Sequence, residues 1–189
     1  MKHAYFRAAV ACLALSLVVR ATAAEQRSPT YTAGQKAPGF VSKTTDGKTV
    51  RFPNDYKGKV VLLDFWATWC APCRAEVPNV VAAYEKLHGK GFEILGVSVD
   101  RDNASAKLAQ FTKEQNMQWP QIYEGKYWDS MIVKMYGIPS IPRPILVDGD
   151  TGVIIAEGPD ARGHKLAPAV EKALAAKKNQ TPNLAAAGH

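Results

Sequence analysis

Val60-Val61-Leu62-Leu63-Asp64-Phe65-Trp66-Ala67-Thr68-Trp69-Cys70-Ala71-Pro72-Cys73-Arg74-Ala75-Glu76 is the stretch from which the fold of this 189-residue chain is read. It starts as a continuous apolar run, the pattern of a strand buried on both faces. It ends in Cys-x-x-Cys, with Pro72 suited to a first helical turn, where a missing N–H costs little. Two cysteines three apart at a helix start have Cβ atoms roughly 5–6 Å apart, within reach of a disulfide after small shifts. The helix N-terminus carries partial positive charge and free N–H groups, which favour a thiolate at Cys70. Strand, tight turn and dithiol together make a reversible two-electron switch.

Other uses of the pair fit less well. A bracing disulfide gains little from so short a loop. A zinc site needs two more ligands at metal spacing, and no second Cys-x-x-Cys exists. Covalent haem attachment needs His after the second cysteine, where Arg74 stands.

The text FWATWCAPCRAEVP, Phe65 to Pro78, resembles the active site of thioredoxin-fold oxidoreductases, above all the secreted branch typified by TlpA, ResA and the cytochrome c maturation thioredoxins. The resemblance runs from Ala33 to Lys178. It implies a redox-active Cys70–Cys73 disulfide, with Trp69, Ala71 and Pro72 facing the partner. It also places the family's cis-proline at Pro142, after Ile141, where free backbone groups can pair with an extended substrate segment. Arg143-Pro144 departs from the Thr usual after that proline. Arg143 is expected either to reach the dithiol or to face solvent, and Pro144 to put the strand's start at an edge or bulge.

Two acids complete the candidate site. Asp64, six residues before Cys70, occupies a position that thioredoxins fill with a buried Asp; burial would raise its pKa and let it take a proton from Cys73. Glu76, one turn beyond Cys73, matches a Glu frequent in the secreted branch. No cofactor or metal is called for.

The rest of the chain fits one domain around this centre. Residues 1–24 read as a cleaved signal peptide: Lys2 and Arg7, a twelve-residue apolar run Ala8–Val19 too short to span, then Ala21-Thr22-Ala23-Ala24. Cys12 would go with it, leaving Cys70 and Cys73 alone in a chain placed in the periplasm or otherwise exported, with membrane anchoring disfavoured. The net charge of +7 would drop to +4 without Lys2, Arg7 and Arg20. No basic run is interleaved with aromatics, so nucleic-acid binding has no support. Residues 25–32 read as a loose linker, 33–178 as the domain, and 179–189 as a disordered tail.

Within the domain, Asp46-Gly47 predicts a hairpin between Phe40-Val41 and Thr49–Phe52. Val77, Val80, Val81, Tyr84 and Leu87 predict a helix from the dithiol to about His88, and Phe92–Val99 a second buried strand in a parallel crossover. Asn103 is the expected cap of a helix to Gln115 that buries Ala106, Leu108, Ala109 and Phe111. An edge strand is expected at Trp119–Tyr123. One helix is expected over Tyr127–Tyr136 with Trp128, Met131, Ile132 and Met135 in the core. A hairpin over Pro144–Asp148 and Val153–Glu157 and a last helix over His164–Lys178 close the domain. The fold class is α/β: a mixed, mainly parallel central sheet with helices on both faces, an N-terminal hairpin and an inserted helix and strand, in the thioredoxin-like manner.

The function expected is reduction of protein disulfides by thiol exchange. Ala71-Pro72 resembles the Gly-Pro of reducing thioredoxins more than the Pro-His of strong oxidants. The resemblance implies a membrane-borne electron donor and partners such as apo-cytochrome c or copper-site proteins. Three alternatives are a peroxiredoxin-like peroxidase, a copper-handling thiol protein and a non-catalytic thioredoxin-like module. The first lacks its Thr before a single peroxidatic Cys, the second its longer Cys spacing and His, and the third commonly loses a cysteine that this chain keeps.

Overall fold

The computed structural model describes residues 31–180. The expected signal peptide and nearly all of the expected tail lie outside the described residues. Eleven elements follow in order: β1 (Phe40–Lys43), β2 (Thr49–Phe52), β3 (Val60–Trp66), α1 (Ala71–Leu87), β4 (Phe92–Ser98), α2 (Ser105–Glu114), β5 (Gln121–Tyr123), α3 (Met131–Met135), β6 (Arg143–Asp148), β7 (Ile154–Glu157) and α4 (Leu166–Gln180). The central sheet has the order β5-β4-β3-β6-β7. β3 is its middle strand, and all seven of its residues are buried, as a run apolar on both faces requires. β3 pairs in parallel with β4, and β4 with β5; β3–β6 and β6–β7 are antiparallel. The pairings are thus evenly divided, not mainly parallel.

Side chains alternate along β3, and this sorts the helices. Trp66 packs on Phe111 of α2 with ring centroids 5.4 Å apart, while the neighbouring Phe65 packs on Tyr136 just after α3 at 5.4 Å. The crossovers that form the parallel half place α1 and α2 on the Trp66 face; α3 lies on the Phe65 face. α4 packs against α1.

The segment before β3 closes the sheet. Gly34 and Ala37 donate to Ile154 and Gly152 carbonyls, and Ile154 donates to Gln35, along the free edge of β7. The chain then crosses the Phe65 face as the β1–β2 hairpin, where Phe40 contacts Phe52 at 5.2 Å and Tyr136 at 6.2 Å. Thr44 bridges to Ile122, and Thr45 N–H donates to the Gln121 carbonyl, on the opposite edge. Both edges of the sheet are therefore occupied, which removes templates for strand pairing between molecules. Tyr31, expected in a loose linker, packs on Tyr136 at 5.8 Å.

Four expectations are corrected. Asn103 does not cap α2: it has φ +62°, and the Tyr123 hydroxyl lies 3.0 Å from the Ala104 N–H and accepts from it. On that helix Leu108 is buried and Phe111 half-buried, while Ala106 and Ala109 are exposed. The helix expected over Tyr127–Tyr136 is broken into one 3-10 turn, Tyr127–Asp129, and α3, because the Glu124 carboxylate accepts the Met131 N–H and Ser130 hydroxyl and starts a new helix. Met131 is then 49% exposed and Trp128 half-buried, not core. Pro144, by contrast, fits its expectation: it lies opposite Asp64 of β3 but has no β7 partner, pairing there beginning at Ile145, so the start of β6 is open on that side.

Candidate active site

β3 ends in the loop Ala67–Trp69, and Cys70 then caps α1 in extended backbone, its sulfur accepting the Cys73 N–H at 3.2 Å. Pro72 sits in the first turn, where its absent N–H is no loss. Cys70 and Cys73 form a disulfide with Cα atoms 5.2 Å apart. The two sulfurs scarcely differ in exposure: Cys70 is 4% exposed and Cys73 3%. What distinguishes them is place, Cys70 at the helix mouth and Cys73 one turn in.

Cys73 shares a small cavity of about 10 Å³ with Asp64, Glu76, Trp119 and Pro142. That is the smallest space that holds one water. Asp64 reaches it from β3. The carboxyl is pushed up from 3.8 to about 7, first by burial and then by the charge of Glu76. Glu76 is half-buried on α1, and its Oε2 accepts the Gly163 N–H at 2.9 Å. The Ile141–Pro142 peptide bond is cis and brings Pro142 to the cavity from the far side. Cys73, Asp64, Glu76 and Pro142, scattered over 79 positions of sequence, thus line one space.

Arg143 goes elsewhere. Its guanidinium pairs with Glu157 at 2.7 Å, neither at the dithiol nor free in solvent. Trp69 is 43% exposed and leans on Tyr127 and Trp128, with ring centroids 5.5 and 6.4 Å away. The sequence reading placed Trp128 in the core and gave Tyr127 no role at the site. It placed Asp100 at the carboxyl end of its strand without a role, and the Asp100 carboxylate binds Thr68 two residues before Cys70. A buried acid immediately after a core strand was the available signal. Among the described residues no group of three or more His, Cys, Asp or Glu could hold a metal ion, and no helix is long and apolar enough to cross a membrane.

Comparison with known proteins agrees with this geometry. The thiol-disulfide oxidoreductase ResA of Bacillus cereus is 36% identical over 121 residues, covering 64% of this chain and 66% of that protein. ResA of Bacillus subtilis is 31% identical over 121 residues, 64% of each chain. The chain thus spans just under two thirds of the length of these relatives. Among solved structures, the thioredoxin domain of a thiol-disulfide oxidoreductase from Bacteroides vulgatus superposes with a TM-score of 0.66 at 36% identity, covering 77% of this chain and 99% of that one. A thiol:disulfide interchange protein from Bacteroides sp. gives 0.64 at 32% identity, with 80% and 95% covered. A family model described as AhpC/TSA matches residues 33–156. The fold is thioredoxin-like, and the chain belongs to the AhpC/TSA family.

Proposed function

We propose that this chain is an exported thiol-disulfide oxidoreductase that reduces protein disulfides. The observation that carries the reading is the Cys70–Cys73 disulfide at the start of α1, whose inner sulfur shares a buried cavity with a carboxyl of pKa about 7. In the reduced protein the Cys70 thiolate, favoured by the helix start and the Cys73 N–H, attacks a partner disulfide. A Cys70–partner disulfide forms and the first partner sulfur leaves as thiolate. Asp64, half ionised near neutral pH, takes the Cys73 proton, and the Cys73 thiolate attacks Cys70. The Cys70–Cys73 bond closes and the second partner sulfur leaves as thiolate; two electrons have passed to the partner, one of whose sulfurs takes the Cys73 proton back from Asp64 while the other is protonated from solvent. Trp69, Ala71 and Pro72 at the mouth, with Ile141 and Pro142 across from it, meet the partner segment, while Glu76 tunes Asp64.

Residues 1–24 act as the export signal on this reading, and outside the cytoplasm glutathione does not keep thiols reduced. A membrane-borne donor then restores the dithiol, and disulfide-bearing apo-cytochrome c or copper-site proteins are substrates of fitting chemistry. Cys73→Ser tests the mechanism. It completes the first attack and blocks the second, so partners accumulate covalently on Cys70, where mass spectrometry identifies them. Cys70→Ser traps little. Trapping by Cys70→Ser alone reverses the two sulfurs, and no trapping by either variant defeats thiol exchange.

A further inference from the structure

Asp100, just after β4, is 2% exposed. Its Oδ2 accepts the Thr68 N–H at 3.0 Å and the Ser98 hydroxyl at 2.9 Å, and its Oδ1 accepts the Thr68 hydroxyl at 2.7 Å. Bonds to an ionised acceptor are short and strong, and three of them fix a carboxylate in both position and orientation. Thr68 is itself 3% exposed and stands two residues before Cys70.

The same short segment holds a second object. The Asp100 carbonyl accepts the Tyr127 N–H at 3.3 Å, and the Arg101 guanidinium lies 4.0 Å from the centre of the Tyr127 ring. Tyr127 has φ +53°, a conformation an aromatic residue keeps only where its surroundings over-determine it. On that ring rests Trp69, the residue between Thr68 and Cys70. Asp100–Arg101 therefore secures both the chain leading into Cys70 and the surface on which Trp69 lies. A buried acid that only filled space would be replaced by an apolar side chain at no desolvation cost. The arrangement of its three acceptor bonds, two of them to Thr68, suits a clamp.

We propose that Asp100 is a positioning residue for the dithiol: through Thr68 it holds Cys70 Sγ at the mouth of α1, where the Cys73 N–H reaches it. The proposal rests on the dithiol being the working site proposed above. Losing the clamp loosens that N–H···S contact and so disfavours the Cys70 thiolate.

The test is the pH–rate curve for alkylation of Cys70 by iodoacetamide, in the reduced protein carrying Cys73→Ser. Thr68→Val removes the hydroxyl with little change of shape. Its midpoint moves up by about half a unit or more, toward the 8.5 of a free thiol. Thr68→Ser keeps the hydroxyl and returns the midpoint to within about 0.2 unit of the parent. Asp100→Ala moves it in the same direction as Thr68→Val; if that variant does not fold, Thr68→Val decides alone. A role in folding only lowers the melting temperature and leaves the midpoint in place. An unmoved midpoint in Thr68→Val, or Thr68→Ser displaced as far as Thr68→Val, overturns the clamp. Alkylation needs no protein partner, so failure to trap partners in cells defeats the proposed function and leaves this result standing.

Discussion

Asp64→Asn separates the chemical role of the buried carboxyl from its cost to the fold. Asp64 is 9% exposed, and its pKa of about 7 stands some three units above the 3.8 of an ordinary aspartate. Between those values the native state keeps a proton that the unfolded chain has released. Stability therefore falls as pH rises through the window. The contribution is fully present below about pH 4 and is lost by the time the folded carboxyl has ionised, a little above pH 7. Three units at roughly 1.4 kcal/mol each put the cost of the ionised group at about 4 kcal/mol, a large part of the 5–15 kcal/mol that holds a typical domain together. Asn has nearly the same shape and no charge, so it escapes that cost. Guanidinium chloride unfolding of the oxidised proteins at about pH 4 and about pH 8 measures it, because other titrating groups cancel in the difference between variant and wild type. The variant's advantage should grow by about 3–4 kcal/mol between the two conditions. On the proposed mechanism the same variant lacks the proton acceptor for Cys73, so resolution of the mixed disulfide near neutral pH should slow by about 10²-fold or more while the first attack by Cys70 is spared. A stability difference independent of pH would refute the assignment of a buried, proton-holding carboxyl at Asp64.

Glu76→Gln removes the charge that helps to raise Asp64, so the pH midpoint of mixed-disulfide resolution should move lower; stopped-flow rates across pH read it, and an unmoved midpoint excludes the coupling. Arg143→Ala leaves the Glu157 carboxylate without its guanidinium and should cost about 1–3 kcal/mol in unfolding. Its rate with a small disulfide should stay within about twofold of wild type, since the guanidinium is engaged by Glu157 and not by the dithiol. Gly149→Ala drives a Cβ into the Tyr56 carbonyl oxygen, main chain that cannot swing aside, and should destabilise by at least about 1–3 kcal/mol in thermal unfolding. Equilibration with glutathione should place the Cys70–Cys73 couple nearer −270 mV than −120 mV, the values of a reducing thioredoxin and a strong oxidant.

Local chemistry determined what the sequence by itself could decide. The run Val60–Trp66 is apolar on both faces, and such a strand has to lie inside a covered sheet. Cys70-Ala71-Pro72-Cys73 combines dithiol spacing with a helix start, and the helix periodicity from Val77 to Leu87 needs no partner to be seen. Gly47 and the Gly149–Gly152 turn mark their hairpins in the same way, through backbone conformations that favour particular residues. Asp64 was picked out by the resemblance, which places a buried acid six residues before the first cysteine, and its burial follows from the apolar strand that carries it.

The tertiary structure decided which distant groups meet. Pairing with Glu157 turns Arg143 from the dithiol, because β7 lies beside β6. Tyr123, brought alongside by β5, serves the start of α2 where Asn103 was expected, and the Glu124 carboxylate cuts the helix expected over Tyr127–Tyr136. That break leaves Met131 exposed and Trp128 half-buried against Trp69, although their spacing suits a core. Thr68 and Asp100 are 32 positions apart, and no period or motif links them. Their contact exists because β3 and β4 run parallel in register and end at the same level, which delivers the acid after one strand to the loop after the other.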